Sequence, residues 1–272
     1  MASRKVQDLI HEGRDFIRFD ESHLVEPSDQ EKKLPQPPLT KTKMADQSID
    51  LPHDFELLPI KKDFLAIINE RESHRIYTEE PMSLLELSYL LWTTQGVKSI
   101  RGKNYATMRT VPSGGARHPF ETYLLVRKVT GLVSGAYHYL PLTHKIEFLG
   151  EVEEMDTLII DALDRQRWAA SANVLFFWSI VPYRGEWRYS EFAHRIMLVD
   201  IGYVSQNLYL ACESIGLGTC AIGAFHVHDC DHLFNLDGID EFTILVSPVG
   251  TISKKKNQEK EQAFYAFLKE EE

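Results

Sequence analysis

The sequence predicts an α+β fold: one large domain with an N-terminal arm and a charged tail. Three observations carry this. Helix and strand signals mix without a strict strand–helix–strand alternation, which disfavours a doubly wound sheet. Residues 173–183 are so apolar that they read as a central buried strand. The segment 191–215 carries a long helical stripe built from Ala193, Ile196, Met197, Val204, Leu208, Ala211 and Ile215, stopped by Gly216. Asp200 and Asn207 fall on that stripe.

The remaining elements follow in order. Val6, Ile10 and Phe16 are spaced for a short amphipathic helix, and residues 26–54, rich in proline and alternating charge, read as an extended strap that cannot build a core. Its length suits wrapping, onto a second subunit if the chain pairs. The arm is thus 1–54, the domain 55–252 and the tail 253–272, read as helical. Within the domain, KKDFLAIINERES is expected to be helical to Ser73. Ser83 and Glu86 form a capping box opening a helix to Gln95, stopped by Gly96. Residues 121–128 read as a strand, 137–140 and 145–149 as a hairpin, 153–170 as helix, and 219–224 and 242–250 as closing strands.

Composition narrows the function. The 30 Lys and Arg against 40 Asp and Glu give a net charge of −10, which disfavours a nucleic-acid binder because phosphate neutralisation needs a basic face. With 43% hydrophobic residues the chain can build a core. Cys212, Cys220 and Cys230 are odd in number and irregularly spaced, which suggests free thiols in a reducing compartment. No run of about 18 uncharged apolar residues occurs, and a cytoplasmic, membrane-free location is expected.

Four stretches have chemical potential. Arg71, Ser73 and Arg75 offer two guanidiniums around a hydroxyl, which suits a phosphate monoester; a solvated helix end is the plain alternative. Pro112, Ser113, Gly114 and Gly115 form a loop able to approach a flat ligand, or a tight turn into the next strand. Cys220, Ala221, Ile222 and Gly223 leave room against a strand backbone, or serve close helix–strand packing. His226, His228 and His232 invite a metal reading, but no further ligand pair completes a known pattern, and the stretch reads instead as a short helix capped from Asp229 onward.

In this order the stretches resemble nitroreductase-fold flavoproteins, in particular the SagB-type dehydrogenase branch. The resemblance covers about residues 61–250. It rests most on RTVPSGGARHPFETYLLV, then on VDIGYVSQNLYLACESIGLGTCAIGAF, with SDQEKKLPQPPLTK similar to the lead-in of stand-alone members. It implies a mostly antiparallel sheet flanked by helices, in a homodimer that holds FMN at the subunit interface. Arg71, Ser73 and Arg75 would take the FMN phosphate, and Pro112 to Gly115 would reach the flavin from the partner subunit. Gln166 or Arg167 would meet the pyrimidine edge, and Cys220 to Gly223 would lie by N5 with backbone N–H donors. NADH or NADPH is the implied reductant, acting on a small-molecule or peptide-derived substrate.

One departure bears on chemistry. Where the biosynthetic branch often has Lys-Tyr, this chain has Arg188 and Tyr189, the expected catalytic pair. A guanidinium stays protonated and does not replace a lysine as general base. A hydride-transferring enzyme is therefore expected, with a partner-dependent azoline dehydrogenase and a non-catalytic flavin-binding module as alternatives. A metal-dependent hydrolase through the histidines is the outlying reading.

Overall fold

In a computed structural model of the chain, residues 5–20, 22, 26–253, 255 and 259 are described. The centre is a seven-stranded sheet. In chain order its strands are β1 (Ser48–Asp50), β4 (Phe120–Val126), β5 (Gly135–Leu140), β6 (Lys145–Gly150), β7 (Val174–Ile180), β8 (Leu217–Thr219) and β9 (Phe242–Thr251). Their spatial order is β1-β6-β5-β4-β7-β9-β8, and every pairing is antiparallel. A separate hairpin, β2 (Val97–Arg101) and β3 (Ala106–Arg109), stands apart from it.

Strand alternation makes two cores. In β7, Val174, Phe176, Trp178 and Ile180 face one side, and Leu175 and Phe177 face the other. The first face is covered by α3 (Leu84–Gln95) and α6 (Phe192–Ile215), and the second by α4 (Met155–Ala162) and α7 (Val227–His232). Two further short helices are α2 (Phe64–Glu70) and α5 (Tyr183–Tyr189), and α1 (Val6–Arg18) lies in the arm. The capping box is present at Ser83 and Glu86, and Gly216 ends α6 at φ 77°. The expected stripe of α6 is the buried one, with Asp200 on it.

Several boundaries moved for local reasons. The helix expected to reach Ser73 stops at Glu70, and the chain runs on extended, with the His74 N–H donating to Thr219 O at 2.9 Å. The helix expected over 153–170 breaks after Ala162. Asp164 and Arg165 adopt left-handed φ of 51° and 60°, and a 3-10 turn covers 167–171. The strand expected to reach Tyr183 ends at Ile180, because Pro182 offers no N–H to a ladder and instead leads into α5. The strand expected over 219–224 is β8 followed by a single bridge, Ile222 to Val246. The β2–β3 hairpin was not expected, although Gly102 and Asn104 mark its turn with positive φ. The helix expected over 253–272 lies outside the described residues apart from positions 253, 255 and 259.

The arm wraps the chain's own sheet. Buried carboxylates hold it: Glu121 accepts from the Lys41 N–H at 2.7 Å, and Glu147 accepts from Met44 and Ala45 N–H at 2.9 and 2.8 Å. Glu241 pairs with the Lys41 ammonium. Further upstream the arm grips α5, with Gln30 N–H donating to Trp187 O at 2.7 Å and the Trp187 indole donating to Leu34 O at 3.0 Å.

Candidate functional site

Extension of residues 71–75 beside β8 lets alternate side chains reach one region. The Arg71 guanidinium lies 5.3 Å over the Tyr209 ring, and that of Arg75 lies 5.8 Å over the Trp168 ring. Between them Ser73 Oγ is 3.2 Å from the Tyr209 hydroxyl, which also accepts from the Ala221 N–H at 2.8 Å. Tyr209, on α6, thus ties the Arg–Ser–Arg segment to the small-residue segment. Sequence reasoning missed it, although it is half-buried on the same long helix. Among the described residues neither Arg71 nor Arg75 meets a carboxylate.

Of the pair offered for the far edge of this site, Gln166 reaches the small-residue segment, its amide donating to Ala224 O at 2.9 Å. Arg167 turns away into a groove with Thr78, Arg127 and Asp156. Along Cys220 to Gly223, the N–H groups of Ala221 and Ile222 are engaged by Tyr209 and by Val246 O (2.8 Å), so these two are not open donors. Beside Gly223 there is space: a Cβ there would meet nothing within 4 Å. Cys220 is buried.

A second cluster sits toward the other end of α6. The Asp200 carboxylate accepts from Ser113 Oγ at 2.7 Å and from the Gly114 N–H at 3.0 Å, and Ser113 Oγ in turn accepts from the His118 N–H at 2.9 Å. Burial lifts the Asp200 carboxyl above its ordinary range, against the pull of these bonds. Val111 and Pro112 lead into this turn, and Gly115 follows at φ 57°. A Cβ on Gly115 would lie 2.7 Å from both Arg188 Cδ and the Tyr189 hydroxyl, so the glycine is what allows the loop to meet the expected catalytic pair. Asp200 and Tyr209 are nine residues apart on α6, about 13–14 Å at 1.5 Å per residue. One chain therefore presents the two clusters side by side along a helix and not around one point.

The histidine stretch forms no such cluster. His226 and His228 each pair with Asp229, at 3.2 and 3.4 Å, and His228 is 93% exposed. No three His, Cys, Asp or Glu side chains among the described residues are grouped to hold a metal. No helix among them is long and apolar enough to cross a membrane. A cavity of 790 Å³ lies elsewhere, walled by Pro37 and Pro38 of the arm, Ile180, Met197 and Phe242.

The profile of the nitroreductase family matches residues 68–251, which is more than half of the chain and includes both clusters. The chain belongs to the nitroreductase family. Its α+β architecture is the nitroreductase-like fold, and it is an oxidoreductase of that family by membership. The Methanocaldococcus jannaschii protein named "Putative nitroreductase MJ1384" is 34% identical over 184 residues, spanning 68% of this chain and 88% of that one. The trifolitoxin-processing protein TfxB of Rhizobium leguminosarum is 30% identical over 142 residues, 49% of this chain and 38% of TfxB. Among solved folds, a nitroreductase-type structure from Ralstonia eutropha superposes with a TM-score of 0.61 at 22% identity, over 81% of this chain and 95% of the other. The Escherichia coli microcin synthetase McbBCD complex contains a chain with TM-score 0.57 at 18% identity, over 93% and 95%.

Proposed function

We propose that this nitroreductase-family chain is an FMN-dependent oxidoreductase that passes hydride between two substrates in turn, with NADH or NADPH as the reductant. The observation that carries the reading is the Arg71–Ser73–Arg75 segment. Two guanidiniums, each backed by an aromatic ring and met by no described carboxylate, flank a hydroxyl next to a small-residue strand with open space at Gly223. That donor set fits a phosphate ester better than any other common ligand group. Bound FMN would supply two-electron hydride exchange at that strand. The chain's own residues would do the rest: Arg71, Ser73 and Arg75 hold the phosphate, Gln166 steadies the far edge, and Arg188 with Tyr189 orients the second substrate.

The homodimer belongs to the same proposal. Pro112 to Gly115 and the phosphate-binding residues are separated along α6, so a site using both needs the loop of a second copy. The outer face of α6 carries exposed Leu198, Val199 and Tyr203, a surface suited to that pairing. Similarity to TfxB favours a second reading, a SagB-type dehydrogenase acting on a peptide-derived substrate with a partner protein. Arg188 argues against azoline oxidation that needs a lysine base.

The deciding experiment is an absorbance spectrum of the purified chain with mass spectrometry of the released ligand, followed by light scattering. Flavin bands, an FMN mass and a dimeric particle are expected. A colourless chain that refuses added FMN overturns the cofactor. An FMN-loaded monomer overturns the dimer. FMN bound without any reductase or oxidase turnover would make the chain a flavin-binding module.

A further inference from the structure

The β2–β3 hairpin brings Tyr105 to the catalytic pair. Arg188 Nη1 donates to the Tyr105 hydroxyl at 2.6 Å, and Gln30 of the arm donates to the same oxygen at 3.1 Å. Behind the phenol, the Arg117 guanidinium lies 4.9 Å over the Tyr105 ring and 5.5 Å over that of Trp187, and it donates to the carbonyls of Tyr105 and Gly115 at 2.9 and 3.0 Å. Two guanidiniums therefore bracket one phenol, and among the described residues neither meets a carboxylate, in a chain whose net charge is −10. Like charges held together without a counterion are costly. Their effect is visible on the neighbours: Gln30, then the charges of Arg188 and Arg117, hold the Tyr105 phenol below its ordinary value. Burial holds Arg117 below its own, and Arg188 adds to the effect. A cation ending α5 needs only the helix dipole, which asks for neither a second guanidinium nor a phenol clamp.

The rest of the Arg188 fork is oriented by this clamp. The Arg188 guanidinium lies 5.3 Å over the Tyr189 ring, and Arg188 Nε and the Tyr189 hydroxyl both crowd the same side of Gly115, so the two polar groups lie side by side. A guanidinium edge with a hydroxyl beside it matches a planar two-oxygen anion.

We propose that Arg188, clamped by Tyr105 and backed by the charge of Arg117, binds the carboxylate of the second substrate, so that the substrates of this chain are organic acids. This names the substrate class of the site proposed above and rests on that reading for its place beside the flavin. Tyr105 and Arg117 are positioning residues here, and Arg188 is the group that touches substrate.

The test is calorimetric titration of the full-length chain, with and without FMN, using 4-nitrobenzoate and its neutral analogue 4-nitrobenzyl alcohol. The acid is expected to bind at least tenfold tighter than the alcohol. Arg188→Ala should abolish the preference while FMN content stays that of the wild type, Arg188→Lys should keep a part of it, and Tyr105→Phe should lower it several-fold. Circular dichroism confirms that each variant is folded. Equal affinities in the wild type, or a preference that survives Arg188→Ala, overturn the proposal. Loss of FMN together with the preference also overturns it, because the charge pair then serves the cofactor. If the chain takes up no FMN at all, the flavin reading falls while the preference measured on the cofactor-free chain still decides this one.

Discussion

Asp200, on the buried stripe of α6, accepts the Ser113 hydroxyl at 2.7 Å and so fixes a glycine loop to a helix 87 residues further along the chain. The same carboxylate takes the Gly114 N–H, so one side chain sets the conformation of Ser113 to Gly115. Asp200→Ala should cost about 1–3 kcal/mol, because it removes two charge-assisted hydrogen bonds and leaves a half-buried hydroxyl and a half-buried N–H without their acceptor. Asp200→Asn should cost less. Its amide oxygen still accepts, and the neutral group sheds the burial penalty that lifts the native carboxyl. Urea unfolding of the two variants checks the order, and equal losses would contradict it.

Gly115 gives a second prediction. Its φ of 57° and the 2.7 Å approach to Arg188 and Tyr189 are separate penalties for any Cβ. Gly131, at φ 86°, carries only the first, since nothing lies within 4 Å of its missing Cβ. Gly131→Ala should therefore lose about 1–2 kcal/mol, the left-handed cost alone. Gly115→Ala should lose more, and it should also displace the expected catalytic pair. Equal unfolding midpoints in the two variants would show that the close approach is not maintained in solution.

What could be read from the sequence, and what could not, follows from the range of the interactions. The stripe of α6, the capping box at Ser83 and the apolar run of β7 depend on nearest neighbours, so periodicity and composition reveal them. The phosphate-type segment was legible as residue types, but its extended backbone was not, because the His74 N–H is committed to Thr219, distant in sequence. Tyr209, Tyr105 and Arg117 left no local signal. Tyr105 and Arg117 join a hairpin to the arm and a helix end, and Tyr209 joins α6 to Ser73 and Ala221, contacts between distant segments that a single sequence does not announce. Gln166 and Arg167 show the finest limit. After a left-handed pair at Asp164 and Arg165, the Gln166 side chain bonds Ala224 O while the adjacent Arg167 lines a different groove.

For the cofactor, Arg71→Ala and Arg75→Ala should each weaken FMN binding by about 1.5–3 kcal/mol, the usual loss for a charge-assisted contact. That corresponds to roughly 10- to 150-fold in dissociation constant. Arg167→Ala should leave it unchanged, since Arg167 lines a different groove. Quenching of free FMN fluorescence on titration with each variant reads the three constants. An effect of Arg167→Ala equal to that of the other two would move the phosphate site.

The last prediction concerns the buried ionic row that holds the arm. His138 lies between two buried carboxylates, 2.7 Å from Glu147 and 3.2 Å from Glu121, with the Tyr123 ring stacked 4.8 Å away. Arg184 pairs with Glu121 from the other side. Burial pushes the imidazole down, but the bonds to Glu121 and Glu147 outweigh it, so its value stands raised. Burial pushes both carboxyls up. Arg184 and then His138 reverse this at Glu121, and His138 with the Ala45 and Met44 N–H groups reverses it at Glu147, so both stand lowered. A raised histidine stabilises fully below its unfolded value, about 6.5, and the stabilisation fades as pH climbs through the native value. Lowered glutamates stabilise fully above about 4.3, and that contribution is lost as pH falls through their native values. The contribution of this row to stability should therefore be greatest between about pH 4.3 and 6.5, with separate acid and alkaline limbs. His138→Gln should flatten the alkaline limb and cost about 3–5 kcal/mol within the window, because it leaves two buried carboxylates without their shared cation. Urea unfolding of both proteins from pH 4 to 9 measures this, and an alkaline limb of unchanged slope in the variant would assign the pH response to another group.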